Sequence, residues 1–244
     1  MNVRSSESRA PPDTTKVVRS APVGDVLRVI AIDGPAGAGK STVARRVAIA
    51  TGLPFLDTGA MYRCVALSAL RGGIDSSDAE SLSRVSRELS ITVKDGVTTL
   101  NGEDVSAVIR TPEVNAVVSQ IATVSEVRNV MRAAQRRWAE SLGGGVVEGR
   151  DIGTVVFPDA TLKVFLTASP RVRAERRVAE AGGDVEEVAR SIAERDLIDS
   201  TRHDSPLRPA DGAVMVDSSN RSIDQVVGEI VAHYREKTVE DAHG

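Results

Sequence analysis

Eight residues constrain this chain more than any others: Gly34-Pro35-Ala36-Gly37-Ala38-Gly39-Lys40-Ser41, a complete match to G-x-x-x-x-G-K-[ST]. They sit where the pattern carries meaning. Before them runs Val26-Leu27-Arg28-Val29-Ile30-Ala31-Ile32, a β-branched apolar segment that reads as a buried strand ending at Asp33-Gly34. After them, Thr42 to Ala50 reads as a helix. Glycines let the backbone curl until successive N–H groups point at phosphate oxygens, and the helix start adds its unsatisfied donors and positive dipole end. Lys40 then supplies a full charge for the β- and γ-phosphates, and the Ser41 hydroxyl a ligand for Mg²⁺. A chance glycine turn has no reason to sit between a strand and a helix. Gly34 to Thr42 therefore reads as a nucleotide phosphate site.

Aromatic residues make up only 2% of the 244, so the core must come from Val, Ile, Leu and Ala, as parallel strands under helices require. A net charge of −3 gives no global field towards nucleic acid or an anionic membrane, so anion recognition has to be local. The single cysteine, Cys64, excludes an intrachain disulfide and a multi-cysteine metal site, and its apolar neighbours mark it as a core residue. His203, His233 and His243 show no ligand spacing. No apolar run is long enough to span a bilayer, and the N-terminus lacks the apolar stretch of a secretory signal. The expectation is a cytoplasmic protein, a monomer without nucleic-acid or membrane partners.

Residues 1–25 are rich in Ser, Arg, Thr and Pro without periodicity and read as a flexible tail. Residues 26–235 read as the folded domain and 236–244 as a short C-terminal tail. Further strands are expected at Leu53 to Asp57, Val146 to Gly149, Leu162 to Leu166 and Ala213 to Val216. Thr111-Pro112 and Ser169-Pro170 mark helix starts. A last helix follows a Ser222…Gln225 capping box, with Ile223, Val226, Val227, Ile230, Val231 and Tyr234 at helical spacing. Alternating strands and helices predict an α/β fold with a mostly parallel sheet covered on both faces. Ile91 to Leu100, two β-prone runs joined through Asp95-Gly96, predicts a hairpin within a small β-rich insert at about 74–110, outside that sheet.

A phosphate loop alone does not fix function. The chain has no Asn-Lys-x-Asp base reader of GTPases, and nothing resembling the signature segment of transporter ATPases. It does place arginines in turns after strands: Arg63 after the second, Arg150 in Glu148-Gly149-Arg150-Asp151-Ile152-Gly153-Thr154 after the third. Ligands of parallel sheets bind beyond the strands' carboxyl ends, so both arginines should converge on the loop and hold a second anion by bidentate bonds. Arg195 and Arg202 follow a later helix. Arg173, Arg176 and Arg177 lie largely on one face of a helix leading to Gly182-Gly183, which reads as a lid (about 171–184) carrying charge to the ATP phosphates, or else as a solvated basic face.

In sum, these segments resemble the bacterial cytidylate kinases, over about residues 27–235. The resemblance rests on Ile32 to Thr42, Leu56 to Arg63, Gly102 to Ser106, Ile109 to Thr111, Gly149 to Pro158 and Glu194 to Asp196, the Gly-Arg-Asp-x-Gly-Thr-Val-Val-Phe-Pro run being the most distinctive. It implies a P-loop nucleoside monophosphate kinase with a five-stranded parallel core sheet, the β-rich insert forming part of the monophosphate-binding domain. By that resemblance ATP is the donor and CMP or dCMP the acceptor. Arg63 and Arg150 would hold the CMP phosphate. Asp151 and Arg128, with Thr58, would read the cytosine edge. Ser119, Arg195 and Asp199 would lie near the sugar, and Arg202 near base and phosphate. Lys40, Arg150 and Arg195 are then the expected charge-stabilising groups, with Mg²⁺ on Ser41 and a supporting carboxylate from Asp33 or Glu148. A kinase of another monophosphate or small metabolite, or a regulatory nucleotide-binding module, are the rival readings.

Overall fold

A computed structural model describes residues 27–94 and 96–241. The 1–25 tail therefore lies outside the described residues. Strand β1 (Arg28–Asp33) is central, and its alternation divides the core in two. Val29 and Ala31 join one apolar cluster, Ile30 and Ile32 the other. The second cluster is closed by α1 (Lys40–Thr51) and α8 (Ile223–Asp241). The first is closed by α2 (Thr58–Arg71), α3 (Ala79–Glu88), α4 (Pro112–Ile121) and α5 (Ser125–Leu142).

With β2 (Phe55–Asp57), β6 (Gly144–Gly149), β7 (Leu162–Thr167) and β8 (Val214–Asp217), β1 forms a five-stranded sheet of order β2-β6-β1-β7-β8. Every pairing in it is parallel. All five expected strands form within a residue or two of their sequence limits. The last helix starts from a reciprocal capping box: Gln225 N–H donates to Ser222 Oγ at 3.2 Å and Ser222 N–H to Gln225 Oε1 at 2.9 Å.

The expected hairpin forms as β3 (Ile91–Lys94) and β4 (Val97–Leu100), antiparallel with Ile91 opposite Leu100, and β5 (Glu103–Asp104) extends it. The region differs from a purely β-rich insert, because α3 fills its first part. Nor is it a satellite. Leu82, Leu100, Val105 and Ile109 are buried in the β1 cluster, each contributing about 1.5–3 kcal/mol of apolar burial. At the other end, the C-terminal tail expected from 236 is a continuation of α8 to Asp241, carried by polar pairs such as Lys237–Glu240 at 2.9 Å in a stretch without glycine or proline.

After β7, α6 (Pro170–Ala181) and α7 (Val185–Thr201) pack on one another. Ser169 caps α6 by accepting from Val172 N–H, as the Ser-Pro signal predicts. Between β6 and β7 the chain makes one wide helical turn, Ile152–Val156, closed by Phe157 N–H to Ile152 O at 2.7 Å.

Gly34 is where loop and sheet touch. Its φ is +151°, and a Cβ there would stand 1.9 Å from the Leu166 carbonyl oxygen of β7. Gly34→Ala should destabilise the fold by about 3 kcal/mol or more, read as a lower urea midpoint at unchanged slope. A midpoint equal to wild type would refute this contact.

Candidate active site

The carboxyl ends of β1, β2 and β6 open onto one cleft of about 1060 Å³, with α6 and α7 forming its far wall. On the loop side, α1 begins at Lys40 behind Gly39, whose φ of 87° and missing side chain leave the first-turn N–H groups uncapped. Lys40 is buried, and Nζ donates to Pro35 O at 2.7 Å. Burial, then the charge of Arg150, push its pKa down to about 7. Glu148 faces it from β6. Burial and then Asp57 push that carboxyl up to about 7, against Lys40 and a hydrogen bond from Ser41. Glu148 Oε1 is fully buried without a hydrogen-bond partner.

Asp33 behaves differently. Both its oxygens are taken: Ile152 N–H donates to Oδ1 and Gly153 N–H to Oδ2, each at 2.8 Å. Burial still raises the carboxyl to about 6. Asp33 thus ties the end of β1 to the turn that carries Arg150 and Asp151. Of the two carboxylates left open by sequence, Glu148 alone has a free oxygen.

Across the cleft stand Arg63, Arg150 and Arg195. Arg150 Nε donates to Asp199 Oδ2 at 2.9 Å, and Arg63 Nε to Asn115 Oδ1 at 3.3 Å. Burial, then Arg150 and Arg63, lower the Arg195 pKa to about 10, and its buried Nε has no partner. Burial likewise lowers Arg63, with Arg110 and Arg150 adding repulsion. For Arg150 burial is outweighed by Asp199, so its guanidinium is held above the usual range. Three mutually repelling guanidinium groups around open space have the charge to hold an anion.

At the end of the cleft lies a lattice of charges. Arg128 is 1% exposed and donates through Nη2 to Asp151 Oδ2 at 2.5 Å, under the Tyr62 ring at 5.8 Å. Arg202 Nη2 stands 3.8 Å from Asp151 Oδ1, and Arg132 Nε 3.9 Å from Oδ2. Arg128 Nε, 3.8 Å from Asp204 Oδ2, and Arg202 Nη2 are buried in ion pairs too long for a hydrogen bond, leaving donors for a ligand's acceptors beside a carboxylate for its donors.

Most residues singled out by sequence line this cleft: Ala36, Gly37, Gly39, Lys40, Ser41 and Thr42 on the loop side with Arg176, and Thr58, Arg63, Ser119, Arg128, Arg150, Asp151, Arg195, Asp199 and Arg202 opposite. Thr58 also donates to Glu148 O at 2.7 Å, fixing α2 to β6. Gly34, Pro35 and Ala38 shape the loop from behind. Arg173 is the correction. It turns to the outer side of the loop, where its guanidinium is used by Asp196 and the Ala36 carbonyl. Helical spacing puts it on a face with Arg176 but cannot say what that face meets. Sequence reasoning also missed Tyr62, Arg110 and Asn115 as cleft residues. Arg110 pairs with Asp57 at 3.0 Å; its signals were its place at the end of the 74–110 insert and in the Ile109 to Thr111 segment of the resemblance.

The chain also has relatives among known proteins. A family model described as cytidylate kinase matches residues 30–236. A cytidylate kinase of Desulforamulus reducens is 49% identical over 212 residues, 84% of this chain and 95% of that protein. One from Ralstonia nicotianae is 46% identical, covering 85% and 92% respectively. Among solved structures, an uncharacterized protein from Eubacterium ventriosum shares the fold with a TM-score of 0.52 at 13% identity, over 86% of this chain and 99% of that one.

Proposed function

The chain belongs to the cytidylate kinase family, and on that premise we propose that it transfers the γ-phosphoryl group of ATP to CMP and dCMP, giving ADP and CDP or dCDP, in the cleft described above. The observation that carries this reading is the second anion site. Arg63, Arg150 and Arg195 converge opposite Lys40, where a mere nucleotide switch has nothing to hold.

Bound ATP lays its phosphates along the uncapped start of α1, and Lys40 Nζ leaves the Pro35 carbonyl for them. The CMP phosphate pairs with Arg63 and Arg150. One of its oxygens, already an anion, forms the bond to the γ-phosphorus as the bond to the β–γ bridging oxygen breaks, so no side-chain nucleophile is needed. Lys40, Arg150 and Arg195 stabilise the charge spread over the transferred group. Asp151 accepts from the cytosine amino group, and Arg128 and Arg202 donate to the ring acceptors. Ser119 and Asp199 stand by the sugar, and Arg176 on the ATP side. The free oxygen of Glu148 beside Ser41 fits a Mg²⁺ accompanying ATP. Held by Ser41 and Glu148, that ion would supply positive charge to the ATP phosphates. The enzyme works as a monomer in the cytoplasm, with residues 171–184 serving as a lid.

Coupled assay of ADP formation with CMP, dCMP, UMP, AMP and GMP tests the reading. The expected order is CMP and dCMP far ahead of the rest. Turnover of UMP alone, or ATP hydrolysis indifferent to added CMP, would overturn it. A simpler measurement addresses the arginine cluster. Sulfate at ten times its dissociation constant should stabilise the protein by about 1.4 kcal/mol, raising Tm by roughly 3–6 °C, and Arg63→Ala should lower that rise.

A further inference from the structure

At the crest of the phosphate loop, both polar groups of Ala36 are engaged by the helices behind it. Its N–H donates to Asp196 Oδ1 of α7 at 3.1 Å, and its carbonyl accepts from Arg173 Nη1 of α6 at 3.0 Å. Arg173 and Asp196 also pair directly with each other, and Arg173 Nε donates to Ala168 O at 3.2 Å. Gly37 lies so close that a Cβ on it would stand 3.1 Å from Arg173 Cβ. Arg173, Asp196 and Pro35 line a separate groove on the far side of the loop, while Arg176 and Arg195 face the cleft. Each of the two helices thus sends one charged side chain behind the loop and a near neighbour in front of it.

From this geometry we infer that Arg173 and Asp196 form a clasp on Ala36 and act as positioning residues for the donor phosphates, Arg173 making no phosphate contact of its own. An Ala36 amide turned out towards Asp196 fixes the two peptide planes at the crest. The amides from Gly37 onward are left facing the cleft. The clasp also sets the register of α6 against the loop, and so the reach of Arg176 into the cleft on the donor side. Nε and Nη1 of Arg173 are engaged by two carbonyls and the Asp196 carboxylate behind the loop, and its side chain lines the outer groove and not the cleft. The inference rests on the phosphoryl-transfer reading only for its kinetic test.

Arg173→Met, Arg173→Lys, Asp196→Asn and the double variant Arg173→Met/Asp196→Asn should be compared. Loss of the clasp displaces the loop by a fraction of an ångström, and Arg173→Met should raise KM for ATP and lower kcat each about 10-fold. CMP affinity, measured by calorimetry without ATP, should stay within about 2-fold, since Asp151, Arg128 and Arg63 are untouched. The double variant should be no worse than the poorer single variant by more than about 2-fold, because both changes open one clasp. Arg173→Lys, keeping a charge for Asp196, should recover part of the loss. In the ligand-free protein, hydrogen exchange at the Ala36 amide should accelerate at least about 10-fold in Arg173→Met. Fully additive losses with unchanged exchange at Ala36 would overturn the clasp in favour of independent phosphate contacts. A parallel fall in CMP affinity would overturn it in favour of general loosening. Should the protein turn over no CMP at all, the exchange measurement alone decides, and Asp196→Asn, which keeps an acceptor oxygen for Ala36, guards against a variant that fails to fold.

Discussion

Replacing Lys40 with methionine is expected to lower kcat about 1000-fold, equivalent to roughly 4 kcal/mol of transition-state stabilisation, while leaving CMP binding in the absence of ATP nearly intact. The charge at Nζ has no substitute within the loop itself, because the other donors of Gly34 to Thr42 are main-chain amides and hydroxyls. Folding should not suffer. Lys40 is buried, and its charged form is disfavoured by burial and by Arg150. The sign of the accompanying pH effect follows from the depressed pKa. Between about 7 and 10.5 the folded protein has released a proton that the unfolded chain still holds, so wild-type stability gains as pH rises through that window. In Lys40→Met that gain should vanish. Urea unfolding of both proteins at pH 7 and pH 9.5 measures it, and identical pH slopes would refute the buried, strained charge.

Asp151→Asn carries the second large effect, in two separable parts. The amide replaces a carboxylate acceptor with a group that is half donor, which opposes the cytosine amino group. We expect kcat/KM for CMP to fall about 100- to 1000-fold while the value for UMP barely changes, so that the preference between the bases nearly disappears. The protein also loses the charge facing Arg128, which has 1% exposure and cannot find water. Breaking a buried pair of this kind should cost about 3 kcal/mol in urea unfolding, near the lower limit because asparagine keeps one oxygen for the guanidinium. Equal losses for both bases would leave Asp151 a structural residue only.

Much of this was legible from residues alone, for a physical reason. The loop signals itself locally, since its glycines, lysine and serine are all needed within one short stretch. The five strands are buried β-branched runs, and their burial shows in composition. Strand order is another matter. That β6, from residue 144 on, inserts between β1 and β2 depends on packing between distant segments. Helix α3 escaped notice because two of its three buried residues are Ser83 and Ser86, leaving Leu82 as the one apolar residue among them. Strand β5 has both side chains exposed and no alternation to read. The choice between Asp33 and Glu148 depended on two backbone amides more than a hundred residues from Asp33, a demand that no local pattern encodes. Arg173 shows the same limit from the other side: its helix face was readable, but its neighbour across the gap was not.

The bond between Asp33 and the turn after β6 has a consequence for how such a protein changes its choice of substrate. The donor's seat and the acceptor's seat are built on adjoining strands, in register at Asp33 and Gly149, and stitched by that carboxylate. The distance to be crossed by the travelling group is therefore set by the rigid interior of the sheet. On the proposed reading, side chains beyond Asp151, such as Arg132, take no part in that bond, so exchanging them to admit a different nucleobase should leave the span in place. Diversification and chemistry are mechanically insulated from one another.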